Sequence, residues 1–305
     1  MPFSRLLRAL FNAIVYGVPV IVARRPLTTK DHAPDLVGMT YVYPVVSRRA
    51  GGVSIGVNLN PNNACNWRCA YCQVEGLVLG AGPRIDIRRL RTELTAMLRD
   101  VVAGDFLARH APEGARELKD VAFAGNGEPT TSPDFGAAID VAAEVLASFD
   151  LLGKLPIVLI TNGTQVKKAD VAEALVRLAK AGGEVWFKLD SATAEGMRRI
   201  NQAPGDPAAH LDKLRAAARL CPTKIQTCLV AWDGEPPSAI EQDAYLEALR
   251  DLVRDTVPIR GILLYSVART SKQPEATHVS QLSEAWLRAF AARIEALGLA
   301  VKVTP

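Results

Sequence analysis

The sequence predicts an α/β chain folded as a curved, partial (β/α)6 barrel. From residue 51 onward, six short apolar stretches alternate strictly with longer helix-period patterns, as parallel strands joined by right-handed crossovers do. Six units are too few to close an eight-stranded barrel, so the sheet should curl without closing. The strand faces add a third observation. In the first strand Val53, Ile55, Val57 and Leu59 fall on one side, Ser54, Gly56, Asn58 and Asn60 on the other. Fully buried parallel strands are apolar on both faces. A polar face therefore implies a partly wet interior, suited to a polar ligand.

The elements follow in order. The first strand runs over 53–60, and beyond a cysteine-bearing loop a helix covers 85–102. VAFAG (121–125) is the second strand, with a helix over 135–149. PIVLITN (156–162) and a helix over 169–183 make the third unit. VWFKLD (185–190) precedes two helical pieces, 197–201 and 210–221, and places Lys188 and Asp190 on the face of Trp186. KIQTCLVAW (224–232) puts Gln226 and Cys228 on one face and leads to a helix over 239–253. GILLYSVAR (261–269) ends the six, followed by a helical pattern within 279–298 and a C-terminal strand. The barrel is expected over 51–305, with residues 1–50 as an amino-terminal extension.

That extension is basic. Arg5, Arg8, Arg24, Arg25, Lys30, Arg48 and Arg49 stand against Asp31 and Asp35, so it carries +5 while the whole chain carries +4. Such a segment is either a solvated arm on the core or a patch for a phosphate-bearing substrate or acidic partner. Its apolar run, 9–23, contains Asn12, Gly17 and Pro19 and falls short of the about 20 residues that span a bilayer. With arginines on both sides and no cleavage signal, it reads as a docking helix kinked near Pro19, not a transmembrane or signal segment.

The chemistry concentrates in CNWRCAYC, where Cys65, Cys69 and Cys72 are spaced C-x3-C-x2-C. An odd count of five cysteines, three of them crowded together, is unlike a secreted disulfide framework and points to a reducing, cytoplasmic setting and a metal. Thiolates select zinc or an iron–sulfur cluster. Structural zinc needs a fourth ligand, and a cubane cluster normally takes four cysteines. Cys221 and Cys228 lie far along the chain, and His32, His110, His210 and His278 show no paired spacing. Three thiols on one loop leave one metal position open. Cys221 reads as structural; Cys228 is either a small core residue or a thiol facing the cavity.

The array after the first strand of a β/α barrel, with Tyr71 before the last cysteine, resembles the radical S-adenosylmethionine superfamily. FAGNGEPT (123–130) resembles that family's Gly-Gly-Glu-Pro element: Gly127, Glu128 and Pro129 match, while Asn126 replaces the first glycine. The resemblance implies a [4Fe-4S] cluster on Cys65, Cys69 and Cys72, with its open iron chelated by S-adenosylmethionine. It implies reductive cleavage to a 5′-deoxyadenosyl radical, hydrogen abstraction from a substrate, and an electron donor of the flavodoxin or ferredoxin type. Gly127 and Glu128 would meet the methionine amino group, and the backbone of Tyr71 the adenine. Thr161 and Asn162, in ITNGT, would line the pocket. Asp190 and Ser191 would meet the ribose and carboxylate, although Lys188 and Asp190 also suit a structural ion pair. Lys188, Cys228 and Arg269 are the candidates for acting on substrate: Cys228 as hydrogen-atom donor, Arg269 as a clamp on a carboxylate or phosphate unless it caps a helix.

WFKLDSATAEGMRRIN and ILLYSVART are similar to the wyosine-type tRNA-modifying branch, but residues 1–64 lack the three cysteines of that branch's second cluster. A single-cluster enzyme is therefore expected. Its substrate is a small molecule, an RNA or nucleotide, or a glycyl-radical partner protein. The reading from another class is a non-catalytic metal-stabilised or redox-sensing domain.

Overall fold

Val42–Ser47 (β1) and Gly52–Val57 (β2) form an antiparallel hairpin, and every later strand of the same sheet runs parallel to its neighbour. The sheet order follows the chain through Leu118–Phe123 (β3), Ile157–Thr161 (β4), Glu184–Lys188 (β5), Thr223–Cys228 (β6), Ile259–Tyr265 (β7) and Val301–Thr304 (β8). This computed structural model describes residues 36–304, together with 21, 23 and 26–28. The sheet curls into a half-barrel, with the crossover helices on its convex face.

Those helices are Ile87–Val102 (α1), Phe106–His110 (α2), Phe135–Ser148 (α3), Ala169–Lys180 (α4), Ala194–Asn201 (α5), Pro207–Leu220 (α6), Ala239–Arg254 (α7) and Glu284–Glu295 (α8). Several begin where the sequence places an acceptor. The side chains of Asp86, Thr193, Asp206, Ser238 and Ser283 each take an otherwise orphaned backbone N–H. The helices bury apolar stripes, such as Leu90, Leu94, Met97, Leu98 and Val101 of α1, in the core shared with Val53, Ile55, Val57, Val121, Phe123, Leu159 and Phe187. The alternate strand residues face inward. Ser54, Gly56, Asp120, Trp186, Lys188, Gln226 and Cys228 line a cavity, as the period-two reading expects.

The amino-terminal side differs from expectation. Residues 42–47, assigned to the extension, form the edge strand β1, and the expected boundary at residue 50 falls in the β1–β2 turn. Pro44 has no N–H and is tolerated because β1 has a neighbour on one side only. The backbone entering β1 is satisfied by Glu93 of α1, which accepts from the N–H groups of Thr40, Tyr41 and Val42 at 2.9, 2.8 and 3.3 Å. The docking helix and its kink near Pro19 lie outside the described residues. Ile21, which is described, is buried and donates its N–H to Asp100 at 3.0 Å, while its carbonyl accepts from Arg109 at 2.9 Å. Among the described residues no helix is long and apolar enough to cross a membrane.

Gly56 shows how tightly the hairpin is packed, because a Cβ there would overlap the ring of Tyr43. Gly56→Ala is expected to destabilise the chain by about 1–3 kcal/mol, as overpacking does. Urea denaturation of the variant beside the parent chain measures this.

Candidate functional site

A cavity of about 780 Å³ fills the concave side of the sheet and reaches the loops at the carboxyl ends of the strands. The cysteine loop follows β2 and is fastened on several sides. Asn58 Oδ1 accepts from the backbone N–H groups of Asn60 and Asn126 at 3.0 and 3.1 Å, and Asn60 Nδ2 donates to the Ala64 carbonyl at 2.9 Å. Ala64 and Cys65 pair with Val78 and Leu79 in a short ladder. Farther along, the Ala70 N–H donates to the Ile200 carbonyl at 2.7 Å, and Ser271 Oγ donates to the Ala70 carbonyl at 2.6 Å. Gly127 lies directly on this loop, where a Cβ would overlap the Ala64 carbonyl oxygen. Asn126 fits beside it because its side chain points away and donates to Asn63 Oδ1 at 2.7 Å. Glycine is sterically required at 127, and also at 125, where φ is +153° and a Cβ would overlap Asn58, but not at 126.

Cys65, Cys69 and Cys72 are free, half-buried and all open into the cavity. Burial pushes the Cys65 thiol up to about 12 and that of Cys69 to about 11, and raises Cys72 as well. Thiols so placed ionise readily only beside a cation. No three His, Cys, Asp or Glu side chains among the described residues converge closely enough to hold one ion. The three thiols come from one loop and open into one cavity, a set that fits a cubane cluster with one position left without a protein ligand. Asn201 Nδ2 lies 3.5 Å from Cys69 Sγ, where it can donate to a thiolate.

Glu128 is buried at the end of the GNGEP loop. Its Oε1 accepts from the hydroxyls of Thr130 and Thr161 at 2.5 and 2.6 Å, and Oε2 from the Asn162 N–H at 2.6 Å. Burial raises its pKa and these donors oppose the rise. Asn162 in turn donates from Nδ2 to Asn66 Oδ1 at 2.8 Å, which joins the end of β4 to the cysteine loop.

Asp190 has no exposed side-chain surface. Its Oδ1 accepts from the Cys228 N–H at 2.8 Å; its Oδ2 accepts from Asn201 Nδ2 at 2.7 Å and from the Tyr71 hydroxyl, and lies 3.5 Å from Lys188 Nζ. Lys188 Nζ also donates to the Tyr71 hydroxyl at 2.5 Å. Burial, the largest single influence, would lower the Lys188 pKa, but Asp190 together with Tyr265, Cys69 and Cys228 outweighs it and the pKa is raised, so the ammonium persists. For Lys188 and Asp190 the geometry is that of an ion pair, and both carboxylate oxygens of Asp190 are taken by the chain's own donors.

Of the residues singled out in the sequence, the fold brings Cys65, Cys69, Tyr71, Cys72, Gly127, Glu128, Asn162, Lys188, Cys228 and Arg269 to one cavity. Pro129, Thr161, Asp190 and Ser191 lie behind this lining. Thr161 and Asp190 support groups that reach it, while Ser191 Oγ accepts from the Thr193 N–H at the start of α5. Arg269 does not cap a helix through its Nη1, which donates to Gln73 Oε1 at 3.2 Å beside Cys72. Cys221 is buried in the core, as expected. The cavity also contains Tyr43, Asp120 and Tyr265, which sequence reasoning missed as site residues, and Arg48 and Arg49, which it placed only in a basic segment read as a solvated arm or a patch for a phosphate-bearing substrate. Asp120 and Tyr265 could have been found from inward strand parity. Arg48 and Arg49 give no such signal, because a turn has no facing rule.

Residues 59–246 match the Radical SAM superfamily. UPF0026 protein MJ1312 of Methanocaldococcus jannaschii is 27% identical over 176 residues, which cover 56% of this chain and 46% of that protein. This chain thus spans less than half the length of that curated relative. Among solved structures, SuiB of Streptococcus suis bound to S-adenosylmethionine is similar with a TM-score of 0.54 at 12% identity, over 82% of this chain and 50% of that one. TYW1 with a lysine–pyruvate adduct gives a TM-score of 0.52 at 16% identity, over 81% of this chain and 74% of that one. At these identities the likeness is one of fold.

Asp190→Ala would leave the Lys188 ammonium buried without its counter-charge and free the Tyr71 hydroxyl. A loss of about 3–5 kcal/mol in unfolding free energy is expected, the usual cost of breaking one side of a buried pair. Denaturant unfolding reads it directly, and Asp190→Asn, which keeps a carbonyl acceptor, should lose less.

Proposed function

We propose, from the premise that this chain belongs to the Radical SAM superfamily, that Cys65, Cys69 and Cys72 hold three irons of its [4Fe-4S] cluster and leave the fourth for S-adenosylmethionine. The superfamily uses both groups. When bound, they supply one-electron cleavage of the sulfonium and a 5′-deoxyadenosyl radical that takes hydrogen from a substrate. The observation that carries this reading is the meeting of three thiols with the GNGEP backbone in one cavity.

The chain's own residues orient and shield. The backbone at Gly127 and the carboxylate of Glu128 would meet the amino group of the cosubstrate, with Pro129 in the same loop and Thr161 fastening Glu128. Asn162 and the Tyr71 backbone would serve the adenosine end, and Asp190 and Ser191 position the surrounding segments. Lys188 presents a fixed positive charge to the cavity. Cys228 remains a thiol because burial raises its pKa, so it keeps an S–H hydrogen that it can donate. Arg269 steadies the cysteine loop through Gln73 and stands ready for an anionic substrate group. A flavodoxin or ferredoxin-type donor supplies the electron, in a reducing cytoplasm where five free cysteines are at home.

The test is anaerobic reconstitution with iron and sulfide, followed by dithionite and S-adenosylmethionine. Release of 5′-deoxyadenosine is expected. An intact cluster that yields none would sink the proposal in favour of a non-catalytic metal domain. Cys69→Ala should lose both cluster absorbance and cleavage.

A further inference from the structure

Arg49 is set apart from the other cations of the cavity. It sits in the β1–β2 turn, yet its guanidinium turns inward and lies 4.8 Å from the centroid of the Tyr265 ring and 5.8 Å from that of Trp186. Both rings line the cavity shared with the cysteines. Lys302 Nζ grips the Arg49 backbone carbonyl at 2.5 Å, tying the turn to β8. Arg48 and Arg269 spend donors on the Ser266 carbonyl and on Gln73. Among the described residues, the Arg49 guanidinium makes no hydrogen bond or ion pair beyond its ring contacts. Asp120 lines the same cavity beyond ion-pair distance of that guanidinium. Burial raises its pKa, a hydrogen bond from Ser54 and the Arg49 charge oppose the rise, and one of its carboxylate oxygens has no partner.

A guanidinium held by two aromatic faces has its orientation settled before any ligand arrives, while its N–H edge stays available. Ordering that long side chain in advance removes a cost that binding would otherwise carry. The natural complement to a planar fork of N–H donors is an oxyanion. The Arg49 backbone sits at the amino end of β2, and its guanidinium reaches in to Trp186 of β5 and to Tyr265 at the carboxyl end of β7, inside the cavity onto which the thiols open. The cavity's volume, about 780 Å³, is that of a small-molecule site.

We propose that Arg49 anchors the substrate, and that the substrate is a small molecule carrying a phosphate or carboxylate group. The proposal rests on the catalytic reading above and specifies the substrate class of that same site.

The experiment is calorimetric titration of the reconstituted full-length chain, without dithionite, with inorganic phosphate and separately with malonate. Saturable one-site binding of at least one anion is expected, and the preferred one tells phosphate from carboxylate. Arg49→Gln should weaken it by about tenfold or more, the loss of a charge-assisted contact. Arg49→Lys keeps the charge and loses the fork, so it should fall between. Matching thermal midpoints separate these effects from misfolding. The idea is overturned if neither anion saturates, or if Arg49→Gln binds within about twofold of the parent chain. It is equally overturned if only a short RNA binds, with an affinity that Arg49→Gln leaves unchanged. The titration contains no reductant, so 5′-deoxyadenosine release is judged separately. Failed anion binding with intact cleavage rejects the substrate class alone.

Discussion

A carboxylate with no exposed surface has to be matched by donors, and the donors that match Asp190 come from separate parts of the chain. Tyr71 belongs to the cysteine loop, the Cys228 N–H to the end of β6, Asn201 to α5, and Lys188 to β5. Each has its own reason to be where it is, but only together do they satisfy one buried charge. The cysteine loop is thereby held at a fixed height and angle above the sheet. Asn201 extends the constraint to a thiol, since its amide spans Asp190 and Cys69.

On the opposite side the loop is held by neutral groups. Asn58 and Asn60 occupy the polar face of β2 and its extension, and their amides receive and give hydrogen bonds to the GNGEP loop and to Ala64. Glu128 answers the same need with donors from two neighbouring segments. The interior of the half-barrel can therefore be polar at tolerable cost, because most of what it buries is paired. The convex face shares the apolar core with the helices. One period-two alternation thus builds both the core and the site.

That alternation is why so much was legible. Strand order, helix positions, the polar interior and the convergence of thiols with Gly127 and Glu128 all follow from local pattern plus the rule that chemistry collects at carboxyl ends. What escaped depends on contacts between distant segments. Val42–Ser47 contains a proline and is followed by two arginines, so composition hides a strand that its edge position allows. Asp190 reads as an inward polar group, but no spacing announces that both oxygens are consumed by residues between 38 and 119 positions away, or by an amide 11 positions on. Arg49 looks like part of a basic arm until the turn carries it between two rings.

The fastening of the cysteine loop has one more consequence. The Ala64–Cys65 ladder, the Asn60 amide, the Ile200 carbonyl and the Ser271 hydroxyl each tie the loop to other parts of the chain. Small metal domains that fold around their ion must draw folding free energy from it, so that chelation unravels them. Here the loop has partners in the chain on several sides, so its position draws on the fold around it as well as on whatever the thiols bind.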